Sequence, residues 1–579
     1  MPANALPRGY FCFVLHSHLP YVRKAGMWPH GEEMVHEALA ETYIPLLNAL
    51  NDLKAEGVEP KLTIGLTPIL VEQLADKSVL EHFELYLLEK LQAAREDVWR
   101  NESEGESRRQ QLAQFYLNWY EDILQSFRKR YRRNIVGAFR RLLQSGNLDI
   151  ITSAATHCYL PLASRDSTIY AQLKTGIEAY RKHFGRRPRG IWLPECGYRP
   201  GYVETQDHSR YKPGIEEFLA DLNLMYFFTD THVIKGGELV GKVAGDVAGQ
   251  YGQMPTRKLV VKPDKRPEAT ERTTFRPYYV QSTNVAVYGR DASTGLQVWS
   301  AAHGYPGDYL YREFHRKDSV SGLQYWRITG ADTDLGDKQL YEPAAAFGQV
   351  HMHADHFANL VHDLIKGYRA EHEDKGIIVS AYDTELLGHW WFEGVAWLKE
   401  VLRRLARSET VGLTTAYEYL VAQPPQEVLT LPESSWGLGG GHWTWLNPDT
   451  EWMWEQIRPA ELKMEQIVAQ QPHATGTMLE VIQQAARELL LLQSSDWPFL
   501  VTTGQAREYA TGRFQHHLAR FHRLVQIIES GKVSAEDERF LTTVKELDNP
   551  FPDINYRVFQ DREAVASSSF RGFALSTST

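Results

Sequence analysis

Cysteine is scarce: Cys12, Cys158 and Cys196 are the only three in 579 residues. So low and odd a count excludes a disulfide framework and points to a reducing compartment. Long apolar runs are missing too. None approaches the ~18 residues of a membrane span. The opening "MPANALPRGYFCFVLHSHLP" lacks the charged-then-apolar pattern of a signal peptide, so a cytoplasmic protein is expected. Basic charge is in deficit, with 63 Lys and Arg against 73 Asp and Glu and a net charge of −10. That excludes a global field able to gather nucleic acid or anionic lipid, so neither nucleic acid nor membrane is an expected partner. No internal repeat is found.

Aromatic residues, by contrast, make up 12 % of the chain, with 15 Trp and 29 Tyr. Flat indole faces suit the C–H faces of sugar rings, but large cores are the default reading of such a composition. Hydrophobic residues at 43 % provide ample core, and the length calls for two to four units.

Short apolar runs recur, each ending in polar residues. "YFCFVL" leads into His16-Ser17-His18, "KLTIGL" into Thr67-Pro68, "LDIITSA" into Thr156-His157 and "GIWL" into Pro194-Glu195. "LMYFFTD" leads into Thr231-His232, "VAVYG" into Arg290-Asp291, "GIIVSAY" into Asp383-Thr384-Glu385 and "VGLTT" into Ala416-Tyr417. Unbroken runs of four to seven apolar residues are what strands buried on both faces look like. Helical patterns such as "GIEEFLADLN" and "VAWLKEVLRRLAR" lie between them. The alternation predicts an α/β fold with a parallel sheet, read as an incomplete (β/α)7-type barrel over residues 1–420. In such a barrel, residues at the C-terminal strand ends face the active site.

Two features interrupt the alternation. Residues about 72–145 read as a helical insertion, and about 234–275, rich in Gly, Lys and Pro, as a long mobile loop. Residues 421–565 turn mainly helical and form a C-terminal domain. The Ser/Thr-rich tail 566–579 is expected to fray.

Two constellations carry chemistry. The histidines of "HSH" (His16, His18) and "HMHADH" (His351, His353, His356) have zinc-compatible spacing. A cluster of histidine alone is a weak metal signal, and hydrogen bonding or proton handling is the default role. No metal and no cofactor is expected. The second constellation is Glu195 and Asp383. Each ends an apolar run, with Trp192 and Tyr198 near the first and Tyr382, Trp390 and Trp391 near the second. Paired carboxylates in an aromatic-walled site suit glycosidic bond cleavage: one attacks the anomeric carbon, and the other protonates the leaving oxygen. The alternative is two unrelated surface or salt-bridged carboxylates.

A family resemblance then becomes specific. "HSHLPY", "ATHCYLP", "IWLPECGY", "SAYDTELLGHWWFEG" and "LTTAYEYL" occur in that order and resemble the five sequence regions of glycoside hydrolase family 57. "SSWGLGGGHWTWLN" and "SSDWPF" further resemble the helical C-terminal part of the family's 1,4-α-glucan branching enzymes. The resemblance implies a retaining double displacement on α-1,4-glucan such as amylose, glycogen or a starch-like polymer. It ends in transfer to a 6-hydroxyl that forms an α-1,6 branch.

It also implies the site. Glu195 matches the nucleophile and Asp383 the general acid/base. His16, His18 and His157 match the subsite of the cleaved glucose. Trp28, Arg290, Trp299, Gly307, Trp436, Trp445 and Asp496 look like further glucan contacts. Tyr251 is the candidate for a loop tyrosine that keeps water from the intermediate. A monomer is expected. The competing expectations are an α-amylase or 4-α-glucanotransferase of the same family and, from a different class, a zinc-dependent polysaccharide hydrolase or deacetylase.

Overall fold

The computed structural model describes residues 7–27, 29–204, 211–236, 270–299 and 304–562. It is a mixed α/β structure with a largely parallel sheet. The strands that position the site are β1 (Gly9–Ser17), β2 (Leu62–Leu66), β3 (Leu148–Ile151), β4 (Tyr226–Thr229), β5 (Ala286–Gly289), β6 (Ile377–Asp383) and β7 (Val411–Leu413). Most of their residues are buried, as unbroken apolar runs demand.

β1 is the central strand. β6 lies along one edge, from Tyr10 opposite Ile377 to His16 opposite Asp383. The other edge is shared, by β7 at Gly9–Phe11 and by β2 at Val14–Ser17. β2 pairs with β3, and β4 with β5, all parallel. Asp291, two residues past β5, donates its N–H to the Val379 carbonyl of β6 at 2.9 Å.

"GIWL" differs from expectation. It forms no strand but two single parallel bridges, Thr152 with Ile191 and Gly190 with Tyr226. The reason is local. Pro194 offers no N–H to extend a ladder, and Gly190 sits hard against the Tyr226 ring. A Cβ there would lie 2.3 Å from that ring.

Helices Lys77–Ser103 and Ser107–Gln125 occupy most of the expected insertion. The Asp76 side chain caps the first, accepting from the N–H groups of Ser78 and Val79. The helix that carries "HMHADH" runs Pro343–Glu371 and begins eight residues before His351.

After residue 421 the chain does not turn helical at once. Val428–Leu429 first pairs parallel with Tyr278–Val280, and Ser434 exchanges two backbone hydrogen bonds with Tyr198. Helices Glu451–Gln470, Gly476–Leu492, Asp496–Thr503, Arg507–Ser530 and Ala535–Leu547 follow. They share a core that includes Trp454, Leu489, Trp497, Phe514 and Phe521. Among the described residues, no helix is long and apolar enough to cross a membrane.

Gly190→Ala is expected to cost about 1–3 kcal/mol by overpacking, because the buried Tyr226 ring has no room to yield. A lowered thermal and urea midpoint checks this; an unchanged midpoint contradicts it.

Candidate active site

Glu195 follows directly from the break at Pro194. Residues Pro194–Cys196 make a single 3-10 turn, and within it Glu195 has φ 61° and ψ 22°. Cys196 is also left-handed, with φ 51°. Non-glycine residues adopt this region at a cost and persist there only when their surroundings hold them. Here the Trp436 N–H donates to the Glu195 carbonyl at 3.0 Å. The side chain is held from the same quarter. The Trp436 indole N–H donates to Oε2 at 2.6 Å, and the Ser495 hydroxyl lies 3.5 Å from Oε1. Burial pushes the Glu195 carboxyl up to about 7. The Trp436 N–H and His18 pull it down, while Asp383 and Asp496 push it further up.

Asp383 ends β6 beside His16, its register partner on β1. Asp383 leaves the end of β6 and Glu195 the turn after the bridged segment, and the two carboxylates are electrostatically coupled.

Three imidazoles line this region. His16 stacks on Trp192, with ring centroids 4.9 Å apart, and its Nε2 lies 3.1 Å from Nε2 of His157. His157 stacks on His18 at 3.8 Å, and its Nδ1 meets the Ser495 hydroxyl at 2.9 Å. Burial holds His16 and His157 well below the usual histidine range. His18 goes the other way. Burial opposes its charge, but Asp496, 3.1 Å from Nε2, together with Glu195 and Glu385, raises it. Its Nδ1 lies 3.1 Å from the Thr67 hydroxyl at the end of β2. Of the three imidazoles, His18 is therefore the one whose surroundings favour the protonated form.

Arg290, just past β5, is bound through Nε and Nη2 to Asp230 at 3.2 and 3.0 Å. Asp230 was not foreseen from sequence. Trp299 reaches the Ala381 carbonyl of β6 at 3.5 Å through its indole N–H. Gly307 lies in an exposed turn whose Tyr305 packs toward Trp391. Trp445 needs correction as a glucan contact. It is fully buried and stacked on Tyr159 at 4.1 Å, so its ring offers no face to a sugar. Trp28 and Tyr251 lie outside the described residues. So does most of the expected loop.

The "HMHADH" histidines have protein partners. His353 Nδ1 meets the Tyr311 hydroxyl at 2.7 Å, His356 Nδ1 meets that of Tyr305 at 2.6 Å, and His351 lies 3.4 Å from Glu400. Ser495, Asp230 and Tyr43 also surround the site and were missed, whereas Thr67 stands at the strand end where its run "KLTIGL" placed it. Small hydroxyls and a helix tyrosine give no local sequence signal. Asp496 was signalled only through the motif "SSDWPF".

Half-buried carboxylates at the end of β6 and in the turn after Pro194, with a stacked histidine set and an indole donor, make a site of the kind glycosidic bond chemistry uses. The model of glycosyl hydrolase family 57 matches residues 12–432, and that of the 1,4-alpha-glucan branching enzyme C-terminal domain matches residues 456–559. The chain belongs to glycosyl hydrolase family 57. It is 44 % identical to the 1,4-alpha-glucan branching enzyme TK1436 of Thermococcus kodakarensis over 549 residues, 94 % of this chain and 77 % of that protein. The crystal structure of TK1436 superposes with a TM-score of 0.86 at 43 % identity, covering 96 % of each chain. The α-amylase AmyC of Thermotoga maritima superposes with a TM-score of 0.79 at 31 % identity, covering 95 % of this chain and 99 % of that one.

The Trp436 N–H favours the ionised form of Glu195. Trp436→Phe removes that donor, so the Glu195 carboxyl should hold its proton to higher pH. The acid limb of the pH–activity profile is expected to move up by about one pH unit. An unmoved limb contradicts the assigned contact.

Proposed function

We propose that this chain is a 1,4-α-glucan branching enzyme working by retaining double displacement, with Glu195 as nucleophile and Asp383 as general acid/base. One observation carries this reading. The carboxyl oxygens of Glu195 at the strand-side turn are met by Trp436 and Ser495, and Ser495 and Asp496 lie in the segment that matches the branching-enzyme C-terminal model. The site is therefore composite, with residues 421–565 completing a cleft on residues 1–420.

The sheet is read as an incomplete (β/α)7 barrel. Support comes from the continuous parallel path β1–β2–β3, the two bridges through Gly190 and Ile191, β4–β5 and the Asp291-to-Val379 hydrogen bond back to β6. In that architecture Glu195, Asp383, Arg290 and the histidines share the C-terminal mouth.

In the reaction, an α-1,4-glucan lies across the mouth. A Glu195 oxygen attacks C1 while Asp383 protonates the departing O4, so the C1–O4 bond breaks and a glucosyl ester forms. Asp383, now ionised, takes the proton from the 6-hydroxyl of an acceptor glucan. That oxygen attacks C1 and displaces Glu195, giving an α-1,6 branch with retained configuration. Trp436 supports Glu195 as it regains charge. His16, His18 and His157 provide a polar wall for the hydroxyls of the reacting glucose. Arg290, fixed by Asp230, is oriented toward the same mouth. No step uses a metal or cofactor.

A second reading has support in the likeness to the α-amylase AmyC. There, water replaces the acceptor hydroxyl. Proton NMR after incubation with amylose separates the two. New α-1,6 linkages that outnumber new reducing ends support branching; reducing ends without α-1,6 linkages reject it. Glu195→Gln is expected to lower activity by at least about a thousandfold while glucan binding persists. Near-normal activity in that variant removes Glu195 from the nucleophile role.

A further inference from the structure

One buried carboxyl beside the site has no part in the reaction as written. Glu385 lies two residues past Asp383, in the 3-10 turn Thr384–Leu386, and is almost fully buried. Its Oε1 accepts a hydrogen bond from the Tyr43 hydroxyl, and Tyr43 is wholly buried. Thr384, between the two acids, meets the Ser17 hydroxyl at 2.7 Å. Both residues after Asp383 are therefore tied down, one to the end of β1 and one to Tyr43.

Tyr43 ends a π-helical turn, Leu39–Tyr43, set within a longer helical stretch. Such turns occur often at functional sites. This one holds the segment after Asp383 at several points. Glu41 Oε2 lies 3.1 Å from His389 Nδ1. Arg312 donates to both Glu41 oxygens, at 3.1 and 3.3 Å. Gly388, with φ 101°, sits so close to the Glu41 carbonyl that a Cβ would lie 1.9 Å from it. Glu393 closes the segment, accepting the Arg312 N–H at 3.1 Å and the Tyr341 hydroxyl at 2.5 Å. In a regular helix, residues two apart point to different sides. Here both Glu41 and Tyr43 reach the one segment.

We infer that Glu385, clamped by Tyr43 from this π-turn, is a positioning residue that fixes the carboxyl of Asp383. The inference rests on the reading of Asp383 as the general acid/base. A group that must give up and take back one proton per turnover needs a fixed place, and its neighbours set its proton affinity.

The groups facing Glu385 are Tyr43 from the π-turn, Asp383 on its own turn and His18 from the end of β1. Burial pushes Glu385 up to about 8. The Tyr43 hydrogen bond and His18 oppose that rise, and Asp383 adds to it. Below about pH 8, Glu385 is mainly neutral and adds little charge beside Asp383. Above it, Glu385 ionises, and its charge keeps the proton on Asp383 to higher pH. The alkaline limb is thereby extended.

Glu385→Gln keeps the size and the acceptor for Tyr43 but cannot ionise. Tyr43→Phe keeps the ring but frees the turn. Each is assayed on amylose and on α-maltosyl fluoride, whose fluoride departs without a proton from Asp383. Glu385→Gln is expected to move the alkaline limb on amylose down by about half a pH unit or more. Tyr43→Phe is expected to lower kcat on amylose about tenfold or more, with KM within about threefold. For both, the glycosylation rate from the fluoride should stay within about threefold.

An unmoved alkaline limb in Glu385→Gln overturns the inference. So does an equal loss on both substrates in Tyr43→Phe, which would mark a general structural role. Asp383→Asn, run alongside, tests the underlying reading by itself. It should lose amylose cleavage and keep glycosylation from the fluoride; any other result means the acid/base assignment has failed, not the clamp.

Discussion

The hydrogen bond from the Trp436 indole to Glu195 holds the site together. Glu195, half-buried in the turn after Pro194, must stay ionisable, although loss of solvent drives it toward its neutral form. One charge-assisted hydrogen bond from an indole lowers that penalty. The donor is brought in from a distant stretch of chain. Trp436 also fixes the left-handed backbone of Glu195 by donating to its carbonyl. Side chain and backbone are therefore held by the same residue. The pairing of Val428–Leu429 with Tyr278–Val280, and of Ser434 with Tyr198, delivers Trp436 to that place.

The charges around Glu195 follow from the same constraint. Glu195, Asp383, Glu385 and Asp496 crowd one region, and a full set of negative charges there would be costly. Charge is limited in two ways. Burial opposes charge on His18, but Asp496, Glu195 and Glu385 together raise its proton affinity, while burial lowers that of His16 and His157. Burial pushes the Glu385 carboxyl up to about 8, against the hydrogen bond from Tyr43. On the proposed reading, Glu195 is left to attack and Asp383 to carry the proton, as retaining chemistry asks of two carboxyls.

Much of this was legible in the sequence. Unbroken apolar runs mark β1 to β7 because strands buried on both faces leave no room for polar residues. Asp383 and His16 stand where two of those runs stop, and Glu195 where the bridged run "GIWL" stops. The limits were physical as well. "GIWL" has strand composition but is only bridged, since Gly190 lies against Tyr226 and Pro194 lacks an N–H. Trp445 resembles Trp436 in sequence, yet one is sealed against Tyr159 and the other meets Glu195. Tertiary packing alone distinguishes them. Asp230 and Tyr43 act through partners far along the chain, Arg290 and Glu385. Pairings at such separation leave no spacing pattern to read.

The most direct measurement traps the intermediate. The protein is incubated with a fluorinated α-glucosyl fluoride whose ester turns over slowly, then quenched, digested and examined by mass spectrometry. The account predicts one added sugar, on the peptide containing "GIWLPECGYRPG" and at Glu195. A sugar on Asp383, Glu385 or Asp496, or no covalent sugar while the fluoride is still consumed, would contradict it.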